Sequence, residues 1–328
     1  MTETDTHGPN PFVFIVGCPR SGTTLLERMV NEHPLIAIMH ESHWISRFLK
    51  KRTGITRRGL VTPDLIDELS RHHRFHLLHM TREDLERLIP STEPISYADF
   101  VAHIFDLYGQ RAGKPLVGDK TTGGYLRNIP LLHGLWPRAR FVHVVRDGRD
   151  VCLSMLNWKK ANRAAGRLAI WKENPVATTA LWWEWQVRLG REGGTAISSD
   201  LYYEFRYELL VDDPAMQCNA LCAFLDVPCD DAMLTYHEGR TSTQPDLSAN
   251  RAWLPPTPNL RDWRIQMREQ DIELFEAIAG DLLSDLGYSR MFETISPATA
   301  RVAERFRSWW DVDRRTTTAS HDTDVPQR

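Results

Sequence analysis

The stretch Phe12-Val13-Phe14-Ile15-Val16-Gly17-Cys18-Pro19-Arg20-Ser21-Gly22-Thr23-Thr24-Leu25-Leu26 constrains the fold more than any other part of the chain. A run of apolar, β-favouring residues describes a strand buried on both faces. A glycine-bounded loop follows, from Gly17 to Gly22, and then a helical pattern set by Leu25, Leu26, Met29 and Val30. Strand, tight loop and helix N-terminus in that order make an anion cradle, because backbone N–H groups converge there and the helix dipole favours negative charge. The spacing is Gly-x-x-x-x-Gly, but Thr23 stands where a nucleoside-triphosphate hydrolase needs lysine. That lysine would reach the β- and γ-phosphates, and the hydroxyl after it would hold Mg²⁺. With Arg20 inside the loop and Thr23 and Thr24 as hydroxyl donors, the cradle suits a smaller anion, one phosphate with one further group, and demands no metal.

Charge and composition narrow the partners. Over 328 residues the formal net charge is −3 with 25% charged residues, so the basic footprint of a nucleic-acid binder is missing. A hydrophobic content of 42% suffices for a sizeable core. Residues 1–10 are polar and lack the basic and apolar regions of a signal peptide, and no apolar run approaches the length of a membrane span. The cysteines (Cys18, Cys152, Cys218, Cys222, Cys229) form no C-x-x-C pair and read as reduced thiols. The expectation is a cytoplasmic protein without a membrane span, a nucleic-acid partner or a metal; the sequence says nothing of oligomeric state.

Along the chain, strand and helix signals alternate. Leu35–Met39 reads as a second strand, followed by His40-Glu41-Ser42-His43 and a helical stretch to Leu49. Residues 50–112 carry helical patterns punctuated by Pro63 and Pro90, with Ser96 as a cap, and read as an inserted helical layer. Pro115–Gly118 is a short strand leading into Asp119-Lys120-Thr121-Thr122, and Phe141–Val145 a clear strand ending at Arg146-Asp147-Gly148-Arg149-Asp150. In the helix from Pro175 to Gly190, Trp182, Trp185 and Leu189 share a face suited to packing on the sheet. Leu201–Tyr207 is a strand with alternation, and helices follow at Pro214–Leu225 and Glu269–Leu286. Residues 239–260, rich in proline, read as a lid loop, and residues 1–10 and 316–328 as disordered tails. The fold expected is α/β: three layers, a mainly parallel sheet, a P-loop-like nucleotide-binding motif, and one domain over residues 11–295.

In such sheets ligands bind beyond the carboxyl ends of the strands. Those ends deliver Arg20, Glu41, Lys120, Arg146 and Tyr207: three cations, a carboxylate and a phenol, which describe a site for a multiply anionic ligand with a general base beside it. At this point Gly17–Leu26 and Val145-Arg146-Asp147-Gly148-Arg149-Asp150 with Ser154 resemble the two cofactor motifs of the sulfotransferase family. That family transfers a sulfuryl group from 3′-phosphoadenosine 5′-phosphosulfate (PAPS) to a hydroxyl or amine. The resemblance covers roughly residues 11–49 and 115–225. It implies that the loop Cys18, Pro19, Arg20, Ser21, Gly22, Thr23 and Thr24 binds the 5′-phosphosulfate. It further implies that Arg146 and Ser154 bind the 3′-phosphate, that Lys120 stabilises the leaving phosphate, and that Tyr207 approaches the adenosine. Arg261 and Arg264, in Leu260-Arg261-Asp262-Trp263-Arg264, are the residues of the C-terminal loop available to close over the 3′-phosphate, although the family's usual basic, glycine-containing segment is not recognisable there.

The base departs from the cytosolic small-molecule branch, whose histidine two residues after the lysine is here Thr122. Glu41 instead matches the glutamate that serves as base in the tyrosylprotein branch, with His40 and His43 flanking it. The resemblance thus implies a small-molecule or peptide hydroxyl as acceptor. Two other readings stay open from the residues: a diverged P-loop kinase, and a nucleotide-binding protein without catalysis. His72, His76 and His79, on one helical face with Glu83, are spaced for a metal, but an acceptor-facing or solvated helix accounts for them better. Arg149 is expected to pair with a carboxylate.

Overall fold

Strand β1 (Val13–Gly17) is the middle strand of a sheet with the order β2-β3-β1-β4-β5. The computed structural model describes residues 12–89, 93–158, 170–238 and 254–321. Residues 1–10, the lid loop up to residue 253 and the tail beyond His321 lie outside the described residues. β2 (Ile36–His40), β3 (Leu116–Lys120) and β4 (Arg140–Val145) run parallel with β1 or with each other, and β5 (Tyr202–Arg206) completes the sheet. The register is fixed residue by residue, with Ile15 opposite Lys120 on one side and Val142 on the other.

The period-two alternation of β1 explains why it is central. Phe12, Phe14 and Val16 join a core with Trp44, Phe100, Phe105, Trp136 and Phe141. Val13 and Ile15 join another with Leu26, Met29, Ile38, Val142 and Val144. Both faces of the strand are therefore buried, as a continuous apolar run in a parallel sheet requires.

The described residues fall into two compact units. The first comprises the segment up to Gly17, Gly22–Val144 and Leu189–Thr257. It carries the sheet, α1 (Thr23–Glu32), α2 (Trp44–Lys51), α3 (Pro63–Ser70), α4 (Arg82–Arg87), α5 (Tyr97–Ala112) and α6 (Ile129–Leu135). The inserted layer is organised by caps: Ser96 accepts from the Asp99 amide at the start of α5, and Thr81 and Asp84 form a reciprocal capping box on α4.

The second unit, Cys18–Ser21, Val145–Arg188 and the segment from Pro258, is helical. It holds α7 (Gly148–Leu156), α8 (Ile170–Glu173) and the part of α9 (Pro175–Thr195) up to Arg188. In the first unit, β5 is followed by α10 (Tyr207–Asp212) and α11 (Pro214–Leu225). The C-terminal elements of the second unit are α12 (Trp263–Gln266), α13 (Glu269–Asp285) and α14 (Pro297–His321). Its core gathers Trp182 and Trp183 with Phe275, Ile278, Phe306 and Trp310. The tryptophans expected against the sheet therefore pack on helices, Trp185 lying 6.0 Å from Trp310. α14 runs to His321, so residues 316–321, expected to begin a disordered tail, are helical.

Candidate active site

In the first unit the functional side chains converge where β2 and β3 end side by side. Lys120 is the last residue of β3, and its side chain is fully buried. Its ammonium lies 3.0 Å from Glu27 Oε2 on α1 and 3.0 Å from Glu41 Oε1, and 3.4 Å from Thr24 Oγ1. Glu41 follows β2 directly, its amide donating to the Lys120 carbonyl at 2.7 Å. The chain turns sharply here, with Glu41 at φ 42° and His43 at φ 57°, both in the left-handed region. What holds that turn is a buried polar knot: Ser42 and Tyr125 donate their hydroxyls to Asp119 Oδ2, and the Ser42 amide lies 3.4 Å from Asp119 Oδ1. On the other side, Arg74 Nη1 donates to both Glu41 Oε2 and the Glu41 carbonyl, each at 3.0 Å, and His43 Nε2 lies 3.5 Å from Glu41 Oε2. Glu27 in turn accepts from His40 Nδ1 at 2.8 and 3.0 Å.

The charges settle which protonation states this cluster holds. Burial pushes the Glu41 carboxyl up, but the Lys120 ammonium, the hydrogen bond from His43 and the charges of His43 and His40 outweigh it and hold the group well below the usual carboxylate range. Burial likewise opposes the Lys120 cation, and the two carboxylates overcome that and raise it above an ordinary lysine. At neutral pH the site therefore contains an ionised carboxylate in contact with an ammonium. Asp119 differs: burial wins over its hydrogen bonds with Ser42 and Tyr125, and its carboxyl is raised.

Gly22 opens α1 with φ 94°, and no side chain of the described residues caps that helix end. Tyr207, at the start of α10, lies with its ring over Gly22, so close that a Cβ there would meet Tyr207 Cδ2 at 2.2 Å. In the second unit, Arg20 (φ 77°) donates from Nε to Ser154 Oγ at 3.0 Å, and its guanidinium sits 5.4 Å over the Trp158 ring. Arg146 Nη1 donates to the Arg20 carbonyl at 3.4 Å, its Nη2 is 3.7 Å from Asp150, and its own carbonyl accepts from Trp183 Nε1 at 3.1 Å. Arg20, Arg146 and Ser154 are thus brought together. Cys18 takes part through the backbone, its carbonyl accepting from the Ser21 amide at 3.1 Å, while burial pushes its thiol up; Pro19 makes no hydrogen bond among those of the described residues.

Ser21 Oγ is buried and finds no hydrogen-bond partner among the described residues. A buried orphan hydroxyl beside the left-handed Arg20 is what a loop for an anionic group presents, so these residues fit a phosphosulfate. Arg264 lies elsewhere, 4.5 Å over Trp263 and 3.7 Å from Asp262, with its side chain 62% exposed. Arg149 pairs as expected, with Asp147 at 2.7 Å and Glu276 at 2.6 Å, and packs 3.6 Å over Trp263.

Residues 11–231 match the model of the sulfotransferase family. The chain belongs to that family. Among curated relatives, the protein-tyrosine sulfotransferase A of Caenorhabditis elegans is 26% identical over 229 residues, covering 70% of this chain and 53% of that protein. The protein-tyrosine sulfotransferase 1 of Danio rerio is 25% identical over 285 residues, 85% of this chain and 72% of its own. The chain thus spans about half the length of the first of these relatives. Among solved structures, the sulfotransferase domain from the curacin biosynthetic pathway superimposes with a TM-score of 0.53 at 18% identity, over 91% of this chain and 98% of that one, which shows the shared fold. The P-loop-like α/β architecture read from the first strand and loop is therefore the family's.

Glu27, Arg74, Asp119 and Tyr125 carry no motif that singles them out by sequence. Glu27 has one local signal, a carboxylate flanked by Leu25, Leu26 and Met29, and it is 6% exposed. The histidine cluster dissolves: α3 stops at Ser70, Phe75–Leu78 is a 3₁₀ turn, and His79 is left-handed, so no single helical face carries His72, His76 and His79. His72 packs 5.9 Å from Phe48 and, pushed down to about 3 by burial and neighbouring cations, is neutral. Among the described residues no group of three or more His, Cys, Asp or Glu is placed to hold a metal ion, and no helix is long and apolar enough to cross a membrane.

Proposed function

We propose that this chain transfers a sulfuryl group from PAPS to the phenolic hydroxyl of a peptidic acceptor, with Glu41 as general base and Lys120 stabilising the leaving phosphate. The observation that carries the reading is the 3.0 Å contact between the fully buried Lys120 and the ionised Glu41 at the ends of adjacent strands. The donor supplies an activated sulfuryl group whose bond to the phosphate oxygen breaks as one to the acceptor oxygen forms. Glu41 takes the acceptor proton on the carboxylate that Arg74 and the Lys120 ammonium hold in place, a geometry that general-base catalysis requires before basicity. Lys120 offers a charge fixed in a site closed to water, where electrostatic stabilisation is strongest. Arg20 to Thr24 hold the 5′-phosphosulfate, Arg146 and Ser154 the 3′-phosphate, and Tyr207 lies by the adenosine; Arg264 approaches only by leaving Asp262 and Trp263. The names of the curated relatives support the peptide acceptor.

The test is calorimetric titration with 3′-phosphoadenosine 5′-phosphate, with AMP and ATP–Mg²⁺ as controls, followed by transfer from labelled PAPS to tyrosine-containing peptides. The 3′-phosphorylated nucleotide binds and the controls do not. Arg146→Ala weakens binding about 10- to 100-fold, the loss of a charge-assisted phosphate contact. Glu41→Gln keeps the nucleotide affinity and loses transfer. Binding of ATP–Mg²⁺ alone, or of neither nucleotide, overturns the proposal in favour of a kinase or a non-catalytic protein.

A further inference from the structure

Lys120 is shared between two carboxylates at the same distance, and only one of them has been given a role. Glu27 stands on α1 with its side chain 7% exposed, against 15% for Glu41. Both its oxygens accept from His40 Nδ1, at 2.8 and 3.0 Å, and one also accepts from Lys120. A carboxylate whose oxygens are all engaged by donors accepts hydrogen bonds and gives none. We propose that Glu27 is the positioning residue that keeps Lys120 cationic and in its seat while Glu41 carries the acceptor proton. This rests on the role given to Glu41 above.

The need follows from burial. An ammonium in a fully buried seat is tolerated only when paired, and its proton affinity falls when the pairing is lost. Once Glu41 is protonated it is no longer an anion, so a lysine paired with Glu41 alone would lose its counter-charge at the moment the leaving phosphate needs a cation. Glu27 supplies the second counter-charge and does not take part in the proton transfer. The other charged and titratable groups around the ammonium do not replace it. His40 is engaged by Glu27. Arg74 stands behind Glu41 and is of the wrong sign, and His43 is turned to the far oxygen of Glu41. On β3 itself, Asp119 is turned into the knot with Ser42 and Tyr125, where burial raises its carboxyl. From α5, Tyr108 is pushed up to about 12 by burial and by the charges of Glu27 and Asp119, and is neutral.

The experiment reads Lys120 directly, in the full chain without nucleotide, by NMR titration of ¹⁵N-lysine-labelled protein with the resonance assigned from Lys120→Arg. Glu41→Gln imitates the state in which the base holds a proton. In that variant, with one of its two counter-charges gone, Lys120 titrates below the wild type and above the double variant. In Glu27→Gln/Glu41→Gln it loses its proton about 1–3 pH units lower, the effect of removing an opposite charge within a few ångströms. Glu27→Asp in the same background withdraws the carboxylate by one methylene and gives a displacement of the same sign, which serves if the double Gln variant does not fold. Coincident titrations in all these proteins overturn the proposal.

A second readout uses activity. Glu27→Gln moves the alkaline limb of the kcat/KM profile to lower pH, and Glu27→Asp restores it in part. A loss equal at every pH overturns the positioning role. If 3′-phosphoadenosine 5′-phosphate fails to bind the wild type, the sulfotransferase reading fails, while the lysine titration still decides the role of Glu27.

Discussion

Gly22→Ala tests the backbone conformation on which the anion loop depends. Gly22 has φ 94°, and a Cβ built there lies 2.2 Å from Tyr207 Cδ2 and 2.5 Å from Cε2. Two costs add. Holding an L-residue in the left-handed region costs about 1–2 kcal/mol. Driving a methyl into a ring that is itself 8% exposed and packed in the core adds about 1–3 kcal/mol of overpacking. The sum is about 2–5 kcal/mol of lost stability, read as a lower urea midpoint at constant slope. A double-mutant cycle with Tyr207→Ala separates the parts. With the ring gone, Gly22→Ala costs only the backbone share of about 1–2 kcal/mol, so the two sites couple by about 1–3 kcal/mol. Additivity within about 0.5 kcal/mol would show that the ring does not press on this glycine and would refute the reasoning.

Arg149→Met removes a guanidinium held by Asp147, Glu276 and the Ser289 carbonyl and deprives two buried carboxylates of their nearest cation, for a loss of about 3–5 kcal/mol in urea unfolding; less than 1 kcal/mol would show that the remaining donors suffice. Acid sensitivity has a worked sign. Burial acts to raise Glu204, but the hydrogen bond and charge of His143, then Arg191 and Tyr202, hold it below its ordinary value. A depressed carboxyl contributes stability that is fully present above the unfolded value of about 4.3 and is lost as pH falls through the folded value. The stability difference between wild type and Glu204→Gln therefore shrinks below about pH 4, and a difference that grows on acidification contradicts the assignment.

The parts of the fold legible in the sequence are those set by short-range pattern. The apolar runs of β1 and β4, the glycines at 17 and 22, and the residues directly after each strand are local signals, and they suffice to bring Glu41 and Lys120 to one rim of the sheet. Arg149 is also readable, since neighbouring positions carry two carboxylates, Asp147 and Asp150. The partners that set the charges at the site come from far along the chain. Arg74 reaches Glu41 across 33 positions and Tyr125 reaches Ser42 across 83, and no periodicity reports such pairings. Glu27 is hidden for a different reason: among apolar neighbours it reads as the polar edge of an amphipathic helix, and only the sheet register that brings Lys120 opposite shows why it is buried. The histidines at 72, 76 and 79 mislead because helical spacing does not persist in a chain that leaves the helix at Ser70.

Thr23 at the lysine position of the loop raises the question of which cation serves the phosphate. In the structure Lys120 reaches Thr24 Oγ1 to within 3.4 Å, so the ammonium approaches the first turn of α1 from the neighbouring strand β3 and not from the loop itself. Moving the lysine to β3 changes what can bind. In a nucleoside-triphosphate site the loop hydroxyl is a ligand of Mg²⁺. Here the hydroxyl of Thr24 already faces a positive charge, and a divalent cation drawn to it would meet like charge at close range. In the proposed reaction the transferred group carries less negative charge than a phosphoryl and needs less neutralisation, which the buried ammonium of Lys120 would supply. The lysine absent from the loop and the carboxylate unexpected on α1 are thus parts of one arrangement, in which the cation comes from β3 and its counter-charge from the helix that the anion loop begins.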